Sequence, residues 1–174
     1  MKTQSGFTLV ELMVFLAVAI TVVAIGVPAL VSLHSINQMA GYSNDLVGGI
    51  RLARSEAIKR AGTVTICAKH STNTTCSSDD WFNGWIVFVD DDGDGVHDGG
   101  EDVLRVWTIP TDERSNLTFQ AAAPNAIRFD SSGGNAANAQ VQFAFKKNDC
   151  QQNQARQITV SIMGRPSLAH VGCF

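Results

Sequence analysis

Charged residues are scarce in this sequence, and one long stretch has almost none. Only 17% of the 174 residues are charged. Between Phe7 and Leu33 the one charged side chain is that of Glu11. About 20 apolar residues at 1.5 Å each cross a hydrocarbon core of about 30 Å, so this stretch is long enough to span a bilayer. The scarcity of charge therefore excludes an entirely soluble chain and predicts a membrane helix.

Signatures of catalysis are also missing. The four histidines are scattered without a paired spacing, and the sequence has no P-loop, serine elbow or glycine-rich dinucleotide motif. No C-x-x-C spacing occurs, which argues against structural zinc. The net charge of -3 excludes nucleic-acid binding by bulk charge. We predict that the chain is not an enzyme.

The N-terminal residues read M-K-T-Q-S-G-F-T-L-V-E. A general secretory signal peptide has a short apolar core followed by small residues at its cleavage site. Here the small residue Gly6 precedes the apolar run, so cleavage after it would leave the hydrophobic helix on the mature chain. The N-terminus resembles the class III leader of type IV pilins and pseudopilins, because a short polar segment is followed by Gly6, Phe7 and Glu11.

This resemblance implies how the chain is processed and assembled. A prepilin peptidase would cut between Gly6 and Phe7 and methylate the new amino group of Phe7. Glu11 would pair with the Phe7 ammonium of a neighbouring subunit, because opposite charges buried in an apolar bundle each need a partner. The implied partners are the peptidase, the inner membrane, and other major and minor pilins.

Beyond the membrane segment, the pattern predicts an α+β domain. Residues 34–61 continue the helix in amphipathic form, with apolar residues spaced by three and four, and Gly62 is the expected stop. We expect a kink or melted turn near Ala24 to Pro28, because proline removes a helix hydrogen bond. Runs of β-branched and apolar residues then predict one antiparallel sheet of five to seven strands. The candidate strands are Thr63–Ala68, Trp85–Val89, Val103–Ile109, Leu117–Gln120, Ala126–Asp130, Gln140–Lys146 and Gln157–Ile162.

Later segments narrow the resemblance. Three later segments are similar to sequences of the family that unites the FimT and FimU minor pilins with the H-type minor pseudopilin of type II secretion. These segments are R-L-A-R-S-E-A-I-K-R, V-T-I-C-A and G-W-I-V-F-V-D. The resemblance implies the pilin fold: a leader at 1–6, a transmembrane and filament-core helix at 7–33, and an amphipathic helix plus sheet domain at 34–174. It also implies a single-pass inner-membrane protein of a Gram-negative bacterium. Its domain would be periplasmic and would then enter an extracellular pilus or a periplasmic pseudopilus.

Four cysteines, an even number, predict two disulfides in an extracytoplasmic domain. Three pairings are compatible with the sequence. We favour Cys67–Cys76, which closes a short polar loop, and Cys150–Cys173, which ties back the C-terminus.

The acidic loop that follows Val89 matches the calcium-loop template D-x-[DN]-x-[DN]-G-x5-E. Alternate carboxylates in this spacing converge on one hard cation, and the glycine allows a sharp turn. The rival interpretation is a solvated acidic hairpin turn, since strands rather than helices flank the loop. The candidate ligands are Asp90, Asp92, Asp94, Val96 through its carbonyl, Asp98 and Glu101.

A further hypothesis concerns DNA, because charge is distributed unevenly. The balance is −7 over residues 34–113 and +4 over residues 114–174. Some FimT-type minor pilins resemble DNA receptors for natural transformation with a G-R-x-R motif, but here Gly164 and Arg165 are followed by Pro166 and Ser167. The missing second arginine weakens phosphate contact. Lys146, Lys147 and Arg156 would compensate if they shared a face with Arg165; the alternative is a solvated sheet edge.

Overall fold

The computed structural model describes residues 8–76, 81–114, 116–121, 124–150 and 152–174. Contacts divide the chain into two units, Met1–Gln38 and Met39–Phe174. A single helix, α1, runs over Leu9–Arg60 without interruption, so the melted turn expected before Pro28 is not found.

Helix α1 ends one residue before the predicted limit, in a Schellman motif. The Ala61 N–H donates to the Ile58 carbonyl at 3.3 Å and the Gly62 N–H to the Ala57 carbonyl at 3.2 Å. These two bonds satisfy carbonyls at the end of the helix. The left-handed residue is Ala61, with φ of 50°, and not the glycine that follows it.

Within the described residues, eight strands form two antiparallel sheets, where the sequence predicted one sheet of five to seven strands. One sheet has the order β3-β2-β1-β5 and the other the order β4-β6-β7-β8. All seven predicted strands are present, and the additional one is the edge strand β8. The strands are β1 Val64–Ala68, β2 Gly84–Val89, β3 Val103–Thr108, β4 Leu117–Ala121, β5 Ala126–Phe129, β6 Val141–Lys147, β7 Ala155–Val160 and β8 Pro166–Val171.

Two short helical segments complete the domain. A 3₁₀ turn over Trp81–Asn83 leads into β2, and α2 occupies Thr111–Arg114 between β3 and β4.

The core of the second unit lies between the later part of α1 and both sheets. Ile50, Ala53 and Ala57 of α1 are fully buried in one apolar cluster with residues of β1, β2, β5, β6 and β7. Ile58 continues the spacing of the apolar residues in this part of the helix, but it is 47% exposed. The contact with the sheet is close at Gly49, where an added Cβ would lie 3.0 Å from Trp85 Nε1.

Both disulfides have the pairing that the sequence analysis favoured. Cys67 and Cys76 are bonded with their Cα atoms 5.6 Å apart, and Cys150 and Cys173 with theirs 6.0 Å apart. The first bond closes the loop after β1. The second joins the segment after β6 to the residues that follow β8.

Candidate functional site

The first part of α1 presents an apolar surface. From Leu9 to Val27 every large apolar side chain is half exposed or more. Among the described residues, this is the one helical segment whose length and composition suit a membrane span. It therefore has the properties expected of a single-pass anchor or of a helix that packs with other helices.

Glu11 closes the N-terminus of α1 in a capping box with Thr8. The Thr8 N–H and Oγ1–H donate to Glu11 Oε2 at 3.1 and 3.0 Å, and the Glu11 N–H donates to Thr8 Oγ1 at 3.3 Å. This reciprocal arrangement satisfies helix donors that otherwise have no partner. This capping box was not among the features predicted from the sequence, although the T-x-x-E spacing of Thr8 and Glu11 is its signal. Gly6 and Phe7, the predicted processing site, lie outside the described residues.

The acidic loop joins β2 to β3, as predicted. Asp90 begins the loop and is only 1% exposed. Its Oδ2 accepts hydrogen bonds from Thr65 Oγ1 at 2.6 Å and from the Gly95 N–H at 3.1 Å. Its Oδ1 is buried without a hydrogen-bond partner. One carboxylate oxygen each of Asp90, Asp92 and Asp94 lies within 4.8 Å of the other two.

Three of the six predicted calcium ligands are thus brought together, and Asp98 and Glu101 are not part of that group. The two carboxylate oxygens of Glu101 accept the N–H groups of Asp91 and Asp98, both at 2.9 Å. The Val96 N–H donates to Asp94 Oδ1 at 2.7 Å. Glu101 therefore connects the beginning of the loop to its far end.

The four predicted DNA-binding residues do not form one surface. Strand register places Lys146 and Lys147 beside the Ala155 end of β7, whereas Arg165 precedes β8 at the opposite end. At about 3.3 Å per residue the two ends are about 16 Å apart. Arg156 is 5% exposed, and burial lowers the pKa of its guanidinium, which donates to the Gln154 carbonyl at 2.9 Å. The condition under which these residues would compensate for the missing arginine, a face shared with Arg165, is therefore not met, because strand register separates them.

Arg165 instead joins two arginines of α1. An open groove of about 500 Å³ is lined by Arg51, Arg54, Ser55, Ile58, Arg165 and Pro166. No carboxylate is among these described lining residues, so the groove is cationic. Arg51 and Arg54 were not predicted as site residues, although their i, i+3 spacing places them on one helix face.

Gly164 has a structural role beside this groove. Its φ of 72° lies in the left-handed region, and a Cβ there would collide with the Gly133 carbonyl oxygen. The same carbonyl accepts a hydrogen bond from Arg54 Nε at 2.9 Å. The glycine of the partial G-R-x-R motif is therefore required by close packing, independently of any ligand.

Comparisons with known proteins agree with this architecture. The family model described as Type II transport protein GspH matches residues 43–164, and that of the prokaryotic N-terminal methylation motif matches residues 1–27. No curated protein matches.

Two crystal structures of the type IV minor pilin FimU from Pseudomonas aeruginosa strain PAO1 have a similar fold. The structure in space group P21 has 21% identity and a TM-score of 0.56, covering 76% of this chain and 89% of that chain. The structure in space group P65 has 22% identity and a TM-score of 0.53, covering 75% and 91%.

A long N-terminal helix with an apolar first part, followed by antiparallel sheets, defines the type IV pilin-like class of proteins, which are structural rather than enzymatic. Because the GspH model covers more than half of the chain, the chain belongs to the GspH family, which includes minor pilins of the FimT and FimU type.

Proposed function

We propose that this chain is a minor pilin that is built into a type IV pilus and contributes to its assembly at or near the tip. The observation that carries the proposal is the exposed apolar surface of Leu9–Val27, which lies within the segment that matches the N-terminal methylation motif. Such a surface needs a membrane before assembly and neighbouring helices after it.

Processing is the first step of this proposal. The prepilin peptidase cuts after Gly6 and methylates the Phe7 amino group, which leaves the apolar helix on the mature chain. Replacing Gly6 by leucine should block the cut, because the peptidase would have to accept a bulky side chain there. Intact-protein mass spectrometry should then find the unshifted precursor, whereas the wild-type chain begins at a methylated Phe7.

Glu11 provides the assembly contact in this proposal. Within one chain its carboxylate already accepts two hydrogen bonds from Thr8. When the helix enters the filament, a neighbouring Phe7 ammonium compensates the buried charge. Breaking a buried ion pair by removing one partner costs about 3–5 kcal/mol, which is more than a hundredfold in an equilibrium constant.

Two substitutions separate the charge of Glu11 from its capping role. Glu11→Gln keeps a side chain that can close a capping box but removes the charge. Thr8→Ala removes the capping hydroxyl and keeps the charge, at a cost of about 1 kcal/mol to the helix. We expect Glu11→Gln to reduce the protein in sheared filaments at least tenfold, and Thr8→Ala to reduce it less than about fivefold.

Immunoblots of sheared filaments, normalised to the membrane fraction, make this measurement. Wild-type incorporation of Glu11→Gln would refute the assembly contact. A larger loss for Thr8→Ala than for Glu11→Gln would assign Glu11 to helix capping alone.

The proposed location is the inner membrane of a Gram-negative bacterium, with the sheet domain in the periplasm until assembly. Two disulfides support an oxidising compartment for that domain. Lys2 is the one basic residue before the apolar run, which favours a cytoplasmic leader.

The alternative within the same class is the H-type minor pseudopilin of type II secretion. The family model carries a type II transport description, whereas the solved structures of similar fold are type IV minor pilins. Deletion of the gene distinguishes the two. Loss of surface pili with normal secretion supports the minor pilin, and loss of secretion with normal pili supports the pseudopilin.

A second candidate function is weak DNA binding, favoured by the three arginines of the groove. Phosphate contacts supply most of the non-specific affinity, and each neutralised phosphate adds about 0.9 to the slope of log affinity against log salt. DNA retention by the full-length chain should therefore fall with salt.

The groove offers a matched pair of double substitutions for this test. We expect Arg51→Gln with Arg165→Gln to reduce the salt slope by about 2, because two phosphate contacts are lost. Lys146→Gln with Lys147→Gln removes the same charge from the other end of the sheet and should leave the slope unchanged. Equal losses from both pairs would contradict a groove site.

A further inference from the structure

A buried carboxylate lies at the start of the acidic loop with one oxygen unsatisfied. Asp90 is 1% exposed, and its Oδ2 accepts two hydrogen bonds whereas Oδ1 accepts none. A buried polar atom without a partner costs about 1–3 kcal/mol, and more when it is charged. A ligand that supplies positive charge at this atom would remove the cost.

Two exposed carboxylates, those of Asp92 and Asp94, lie near the carboxylate of Asp90. One oxygen each from Asp90, Asp92 and Asp94 lies within 4.8 Å of the others. Each pair of charges at this distance repels by about 1 kcal/mol in water and by several times that near a protein surface. No ammonium or guanidinium of the described residues forms an ion pair with these three carboxylates. Arg128, which also contacts the loop, donates to the Gly93 carbonyl.

We propose that Asp90, Asp92 and Asp94 form the centre of a calcium site in the β2–β3 hairpin. Carboxylate oxygens are the ligands of hard cations, and calcium accepts several of them in a flexible shell. Magnesium keeps most of its water and demands near-ideal octahedral geometry, and zinc prefers nitrogen or sulfur ligands. The same three residues occupy the first, third and fifth positions of the twelve-residue calcium-loop template.

The site connects the loop to the sheet. Thr65, which donates to Asp90, lies in β1, and Glu101 accepts the N–H groups of Asp91 and Asp98 near the two ends of the loop. A bound ion therefore stabilises the hairpin against its neighbouring strand. With three carboxylates rather than a complete shell, we expect the affinity of extracellular calcium modules, a Kd of about 10⁻⁴–10⁻³ M.

The test uses the full-length processed chain in detergent, stripped with EDTA and then dialysed. Calorimetric titration with calcium chloride should saturate at one ion per chain. At a tenfold excess over Kd, thermal unfolding should shift upwards by about 3–6 °C. Sodium chloride of equal ionic strength and magnesium chloride are the ionic controls.

Asp92→Ala and Asp91→Ala form a matched pair for this test. Both remove one charge from an exposed position of the same loop, but only Asp92 belongs to the cluster. We expect Asp92→Ala, and likewise Asp94→Ala, to lose the calcium-dependent shift, whereas Asp91→Ala keeps it. All three positions are exposed, so the variants should fold.

Three results would overturn the site. The first is a wild-type shift no larger than that in matched sodium chloride, since the loop would then respond only to screening. The second is equal binding of magnesium. The third is equal loss in Asp91→Ala and Asp92→Ala, which would mean that the loop attracts cations diffusely.

Discussion

The two parts of α1 differ both in how much of their sequence is apolar and in what covers the apolar side chains. In Leu9–Val27 the large apolar side chains are half exposed or more, whereas Ile50, Ala53 and Ala57 are fully buried. The first part is apolar on all sides and needs a surrounding of lipid or other helices. The second part has one apolar stripe, which the sheets of its own chain cover. The second part of the helix thus belongs to the core of its own domain, whereas the first part is left for contacts with lipid or with other helices.

The largest expected effect on stability comes from an isoleucine-to-alanine substitution, made once in each part of α1. Ile50→Ala removes a fully buried side chain, so we expect the free energy of unfolding of the sheet domain to fall by about 2–5 kcal/mol. Ile20 is 67% exposed, and Ile20→Ala should change the same quantity by less than about 0.5 kcal/mol. Urea unfolding of the full chain in detergent measures both. Equal effects would mean that the first part also contributes to the domain core.

Two adjacent glycines sharpen the comparison within the second part. An alanine Cβ at Gly48 meets nothing within 4 Å, so Gly48→Ala should stabilise the domain by about 1 kcal/mol through helix propensity. At Gly49 the Cβ would lie 3.0 Å from Trp85 Nε1 and 3.1 Å from Ile66 Cδ1, which offsets that gain. We expect Gly49→Ala to be neutral or destabilising in the same urea experiment. A gain at Gly49 equal to that at Gly48 would show that the helix is not tightly packed on β1 and β2.

A smaller effect on the free energy of unfolding is expected at Ala61, where the second part of α1 ends. Ala61 holds a left-handed conformation, which costs an L-residue about 1–2 kcal/mol. Ala61→Gly should raise the free energy of unfolding by about 0.5–1 kcal/mol, because the greater freedom of glycine in the unfolded chain cancels part of the gain. Differential scanning calorimetry measures it, and a loss of stability would contradict the Schellman assignment.

The smallest effect concerns Glu56, a charged residue on the second part. Hydrogen bonds from Arg60 at 2.9 Å and Lys59 at 3.2 Å hold the pKa of Glu56 below its ordinary value. A lowered folded pKa gives stability that is present above the unfolded value of about 4.3 and is lost as pH falls through the folded value. Glu56→Gln should therefore lower the melting temperature slightly at pH 7, and the difference from wild type should decrease as the pH falls below about 4.3. A difference that does not decrease with falling pH would indicate a cause other than the charge, and Asp45→Asn controls for the loss of one helix charge.

Local patterns predicted most of the fold. The helix end came within one residue of Arg60, and seven strands were found because each has a run of β-branched or apolar residues. Strand β8 was missed because P-S-L-A-H-V begins with proline and has no buried residue, as is common for an edge strand. The division into two sheets was also missed, since the pairing of β1 with β5 joins segments about 60 residues apart.

The sequence predicted one candidate site better than the other. The calcium template found Asp90, Asp92 and Asp94 because their spacing is local, but burial of Asp90 depends on Thr65 in another strand. The spacing of the basic residues in the sequence did not predict which of them lie together, because Arg165 lies at the other end of the sheet from Lys146 and Lys147.

The sequence by itself determines the properties that depend on neighbours in the chain: the N-terminal methylation motif, the long apolar helix with Glu11, and the acidic spacing of the β2–β3 loop. Properties that depend on strand register are not determined in this way, because register follows from side-chain packing across the whole domain. Register is what buries Arg156, unites Arg165 with the arginines of α1, and leaves Asp90 Oδ1 without a partner. Which surfaces the domain presents was thus decided by long-range packing.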